Sequence, residues 1–250
     1  MENPSAIGCF TCHAPHTKGN LTLRTVAPFV LLDSTSSSTY DKGPSNLCAT
    51  CHHSRRNVHN YVYDGVRMSS HFGPHHSVQA DMLVGTNGYK YAGFTPESSY
   101  HSHGVTEGCV TCHMETSVGY TLGGHSWNME WEGEDNVEAC NSDVCHDNEL
   151  TDFNRLADED YDHDGVKEGV QDEIAGLMAQ LKDKLIAANL MDSEGDPVAR
   201  VVATADSAGA VSNYEFVLSE GSMGIHNTEY AVGLLQSSLD LFNASLSAKK

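Results

Sequence analysis

The sequence predicts a fold that is mostly coil with short helices, closed by two longer α-helices near its C-terminal end. Three observations lead there. Apolar residues make up 39% of the 250 residues and aromatics 8%, which is thin for filling a core of this size. Eight cysteines fall in four pairs, all before residue 146. Apolar residues at helical spacing are confined to the stretch after residue 165.

The cysteines decide what fills the core. They stand at Cys9 and Cys12, Cys48 and Cys51, Cys109 and Cys112, and Cys140 and Cys145, and a histidine follows each pair at once: His13, His52, His113 and His146. Cys-x-x-Cys-His is the attachment pattern of c-type haem. Two thioether bonds fix the edge of the macrocycle to the chain, and the adjacent histidine is held beneath the iron as its proximal ligand. The last pair, Cys140-x4-Cys145-His146, carries two extra residues between the thiols. A zinc ribbon also pairs cysteines but has no need of a histidine directly after each pair. A disulfide framework would use eight cysteines but gives no reason for four Cys-His dipeptides. Four haem c groups are therefore expected as cofactors, and their apolar bulk supplies the core that the side chains lack.

The chain has 15 histidines, enough to close the sixth coordination position of every iron. His16 follows His13 too closely to reach the far face of the same haem, so it must serve another haem or none. His75 follows Gly73-Pro74, His125 follows Gly123-Gly124, and His226 precedes Asn227, a good helix N-cap. These four are the expected distal ligands. His76 and His71 are rivals to His75, and His103, in His101-Ser102-His103, is the main reserve.

Along the chain, residues 1–150 form the expected haem-binding region and 151–250 a helical region packing on the haem row. The polar run Ser34–Thr39 reads as a loop, and Asn20-Leu21-Thr22 and Asn243-Ala244-Ser245 fit the N-glycosylation pattern. Val166, Val170, Ile174, Leu177, Leu181, Leu185 and Leu190 give one amphipathic helix, with acidic residues near its start as the helix dipole favours. A second helix is expected from about Asn227 to Ala244, with Tyr230, Leu234, Leu235, Leu239 and Phe242 inward. Between them, residues 198–218 alternate loosely and suggest a hairpin or irregular chain. Before the first helix, Asp160, Asp162, Asp164 and Gly165 match the first half of an EF-hand loop, with Glu168 further along it. Calcium is the expected ion, although Gln171 sits where a bidentate Glu belongs. Asp172 or Glu173 could substitute, and the plainer alternative is an acidic cap.

The formal charge is −20, from 34 acidic and 14 basic residues. Such a chain repels nucleic acid and anionic lipid. No apolar run reaches the length of a membrane span. Met1-Glu2-Asn3-Pro4 has neither the basic start nor the apolar stretch of a signal peptide. Because c-type haem is attached outside the cytoplasm, the expectation is an exported protein whose leader has been removed, at the cell surface or outside the cell, with the periplasm as the alternative.

Several blocks together resemble a known family. The Cys9-Phe10-Thr11-Cys12-His13-Ala14-Pro15-His16 start, the segment from Pro74 to Leu83, the third haem motif followed by Gly123–Trp127, and Gly224–Ala231 are similar in order to the tetrahaem extracellular filament cytochromes of the OmcE type. The later blocks are distantly like the C-terminal half of pentahaem nitrite reductase. The filament resemblance implies electron transfer through bis-histidine haems and head-to-tail polymerisation with copies of the same chain. It also implies that a histidine, most naturally His16, ligates a neighbour's haem, and that redox proteins or extracellular acceptors are partners. The nitrite reductase uses a lysine in place of one proximal histidine. Here all four motifs end in histidine, which argues against an enzyme, although His101 and His103 fall near where that relative keeps an active-site histidine.

Overall fold

A computed structural model describes residues 7–15, 19–33, 39–95, 99–116 and 119–247, the side chains of 244–247 excepted. His16 and residues 34–38 of the polar run lie outside the described residues.

Both expected C-terminal helices form. Val170–Ala187 has Asp172 and Glu173 in its first turn and buries Val170, Ile174, Leu177, Leu181 and Leu185 along one stripe. Val166, expected on the same stripe, lies before the helix and is exposed. Thr228–Ser247 starts where Asn227 Oδ1 accepts the Tyr230 N–H at 3.1 Å, and it buries Tyr230, Leu234, Leu235 and Leu239.

Residues 198–218 depart from the expected hairpin. Val202–Ala203 is a short strand antiparallel to Val66–Arg67, and Ala205–Glu220 is a third long helix. Thr204 caps it by accepting the Ser207 N–H at 3.2 Å, and Gly221 ends it in the left-handed conformation. This helix is buried nearly all round, with Ala208, Gly209, Ala210, Val211, Asn213, Phe216 and Val217 all inside. It therefore has no polar face from which a helical period could be read.

The segment 58–94 threads through this helical core. Val58, Val62, Val66, Met68, Phe72, Val78 and Met82 pack in one cluster with the three helices. Asn213 clamps the backbone of Tyr89, accepting its N–H at 2.7 Å and donating to its carbonyl at 3.0 Å. Two glycines permit the close approach: a Cβ on Gly209 would meet the Tyr89 ring, and one on Gly233 the Phe94 ring.

The haem-motif stretches differ. From 99 to 169 the only buried apolar side chains among the described residues are Leu122 and Ala157. A small cluster of Leu31, Tyr40, Ala49, Ala80 and Leu83 sits beside the second and third motifs. Two small antiparallel pairs, Phe29–Val30 with Thr39–Tyr40 and Glu130–Trp131 with Glu134–Asp135, complete the fold. Among the described residues no helix is long and apolar enough to cross a membrane.

Candidate haem-binding site

Each Cys-His motif is a single tight turn. The His13 N–H donates to the Cys9 carbonyl at 2.9 Å and the His52 N–H to the Cys48 carbonyl at 2.9 Å. The third motif is the short helix Cys109–His113. In the fourth, the His146 N–H donates to the Cys140 carbonyl at 3.2 Å. The two extra residues bulge outward while the closing bond of the turn is kept. None of the eight cysteines is in a disulfide.

The motifs meet one another through their sulfurs. The Cys48 and Cys109 thiols lie within hydrogen-bonding reach, as do those of Cys112 and Cys140. That contact pushes the Cys48 and Cys112 thiols up and their partners Cys109 and Cys140 down. The buried Tyr40 hydroxyl stands 3.1 Å from Cys109 Sγ.

The histidines fall into pairs. Ring centroids of His13 and His125 are 6.3 Å apart, those of His113 and His226 6.1 Å, and those of His146 and His101 6.2 Å. An imidazole nitrogen sits ~2 Å from a bound metal and its centroid about 1 Å further, so two imidazoles on opposite faces of one ion stand about 6 Å apart. Three of the four motif histidines thus already face a second imidazole at the spacing one iron requires.

The remaining ring nitrogens are tied down as ligating histidines need. The Nδ1 of His13 lies 2.8 Å from the Leu21 carbonyl oxygen, that of His101 3.0 Å from Ile225, and that of His113 3.3 Å from Trp127. His52 Nδ1 lies 3.0 Å from Gln79 Oε1. His226 Nδ1 bonds a carboxylate oxygen of Glu220. With Nδ1 as the protonated donor, Nε2 carries the free lone pair. Burial holds His101, His113 and His146 below the ordinary imidazole range, in the neutral form that binds metal. Burial also opposes protonation of His226, but the Glu220 carboxylate outweighs it and raises that imidazole.

The backbone that presents His125 depends on one glycine. Gly123 has φ +59°, and a Cβ there would run into the Glu115 carbonyl. A cavity of ≈ 530 Å³ opens beside His146, lined by Cys145, Leu150, Leu156, Arg155 and Lys167. Its two cations, Arg155 and Lys167, are offset by Asp147, Glu149 and Asp158, with Arg155 3.7 Å from the Asp158 carboxylate.

His125 and His226, two of the expected distal ligands, each stand opposite a motif histidine. His75 does not. It is exposed, adopts φ +73°, and packs edge-on against its own neighbour His76 at 5.4 Å. The third facing histidine is His101, on the one-turn helix Tyr100–Gly104 capped by Ser99, whereas His103 is exposed and packs on Tyr100. The sequence held His103 in reserve, whereas the packing brings His101 to His146. Among the described residues no second imidazole is seen against His52.

The acidic loop also rearranges. Oxygens of Asp160, Asp162 and Glu173 lie within 4.8 Å of one another, while Asp164 and Glu168 are not in the group. Buried Glu173 accepts the backbone N–H groups of Tyr161, Asp162 and Glu168 at 2.7, 3.1 and 2.9 Å. Glu173 is one of the two residues expected to stand in for Gln171, and the helix start brings it back over the loop.

No family model matches the chain. No curated protein matches it either. Its fold is similar to that in the crystal structure of the outer cell wall cytochrome OcwA, with a TM-score of 0.54 and 21% identity over 94% of this chain. The chain spans 39% of the length of that protein. The fold is thus cytochrome-like: mostly coil and short helices around the Cys-His turns, with long helices at one end.

Proposed function

We propose that this chain is an electron-transfer protein that holds four c-type haems, each through one Cys-His motif. The observation that carries the reading is the three imidazole pairs at 6.1–6.3 Å. Cys9 and Cys12 would attach the first haem between His13 and His125. Cys109 and Cys112 would attach the third between His113 and His226, and Cys140 and Cys145 the fourth between His146 and His101. Cys48 and Cys51 would attach the second on His52, with the His16 of a neighbouring copy as its second ligand. Bound haem supplies reversible one-electron chemistry. Two imidazoles on one iron leave no position for a substrate, so these residues favour a carrier over an enzyme. The sulfur contacts, Cys48 with Cys109 and Cys112 with Cys140, support a row in which the second, third and fourth haems are neighbours in chain order.

Further features follow from the resemblance noted in the sequence. Subunits polymerise head to tail into an extracellular filament, through heterologous contacts that do not close a ring, and His16 reaches a neighbour's haem. The likeness to an outer cell wall cytochrome supports a place outside the cytoplasm. Calcium, if bound, sits at Asp160, Asp162 and Glu173, where Asp160 Oδ1 is buried with no partner. A melting temperature indifferent to chelator would remove it. Electron micrographs of native protein from culture supernatant test the assembly. Long filaments with a repeating subunit support it, whereas discrete haem-loaded particles favour a periplasmic shuttle or the electron-delivery subunit of a reductase.

A further inference from the structure

Of the five candidate ligand imidazoles with a bonded Nδ1, four meet neutral oxygens: the carbonyls of Leu21, Ile225 and Trp127, and the side-chain amide of Gln79. His226 alone meets a carboxylate, that of Glu220. Glu220 is an improbable place for an acid on stability grounds. It is the last residue of the helix Ala205–Glu220, where the helix dipole disfavours negative charge, and its side chain is 0% exposed. Yet the site is built for a charged group. The Ser222 N–H and hydroxyl both donate to Glu220 Oε2, at 3.0 and 2.7 Å, which leaves Oε1 for His226. The Ser222 hydroxyl in turn accepts the His226 N–H at 3.2 Å.

We propose that Glu220 is a positioning residue that sets the reduction potential of the haem between His113 and His226 below those of its neighbours. The proposal rests on the reading of His226 as an iron ligand. A carboxylate bonded to Nδ1–H draws the proton toward itself and makes Nε2 a stronger donor, which favours ferric iron. A carbonyl oxygen does the same far more weakly. The buried negative charge adds to the effect, because the ferric site carries one more positive charge than the ferrous. The loop from Gly221 to His226 also holds the next site, since Ile225 supplies the carbonyl for His101. One loop thus gives two adjacent haems different ligand strengths.

The test is a spectroelectrochemical titration of the complete haem-loaded protein with Glu220→Gln, which keeps the shape and an acceptor oxygen but loses the charge. His226→Met identifies the affected haem by the spectral component it alters. The expected result is that this haem's midpoint rises with Glu220→Gln by about tenfold in its reduction equilibrium, about 59 mV for one electron, while the other three stay put. An unmoved midpoint with all four low-spin bis-histidine signals retained overturns the proposal and leaves the ligand reading intact. A His226→Met protein with an unaltered spectrum overturns the ligand reading itself. Should Glu220→Gln fail to take up four haems, Ser222→Ala serves. It removes a donor from Glu220, leaves more charge for His226, and should lower the same midpoint by a smaller amount; no movement there overturns the proposal.

Discussion

The three helices between 170 and 247 and the stretch from 99 to 169 are of similar length, but they are held together in different ways. The helices bury Ile174, Leu177, Leu181, Leu185, Val211, Phe216, Val217, Tyr230, Leu234 and Leu235, with 58–94 packed among them. The stretch 99–169 buries Leu122 and Ala157. At roughly 1.5–3 kcal/mol per fully buried large apolar side chain, the first region gains several times more from burial than the second. The second cannot offset the backbone entropy of ordering, about 1–2 kcal/mol per residue. It also leaves Tyr120, Trp127, Trp131, Val144 and Leu156 exposed. On the function proposed above, its order would come from what its cysteines and histidines hold, with haem as both cofactor and core.

The largest test of this contrast removes one attachment. Cys109→Ala with Cys112→Ala should leave 99–169 open to protease along its length, while far-ultraviolet circular dichroism keeps the signal of the three helices. Loss of both together would break the comparison. Next in size is Leu177→Ala, at a position 1% exposed. It should cost ~2–5 kcal/mol of stability in denaturant titration without changing the haem spectrum.

A finer test separates two histidines that the sequence ranked the other way. His101→Ala should open one iron in four, seen as a high-spin component that binds carbon monoxide when reduced. His75→Ala should leave the spectrum unchanged. The smallest effect is a slope. Burial pushes the Asp81 carboxyl up to about 7, against the opposing hydrogen bond from the Ser54 N–H. A carboxyl raised in the folded state contributes stability that is present below its unfolded pKa of 3.8 and lost as pH rises through about 7. The melting temperature should therefore fall across that window, and Asp81→Asn should flatten the fall.

The Cys-His turns and the two amphipathic helices were legible because their chemistry is local: a fixed spacing, or an apolar stripe with a polar back. Ala205–Glu220 was not, since a helix buried on all sides hides its own period. His125 and His226 were marked by glycines and a cap beside them. Choosing His101 over His75 and His103 required knowing which ring faces His146, a contact across 45 residues of chain. Glu220 carried no local mark, because its meaning lies in the turn that folds His226 back onto it.

The central claim is that paired imidazoles hold the irons, and a density map of the haem-loaded protein that resolves iron coordination tests it most directly. The account predicts His13 with His125, His113 with His226, and His146 with His101, each pair on opposite faces of one haem. An open sixth position, or a different residue, at any of these three irons would contradict it.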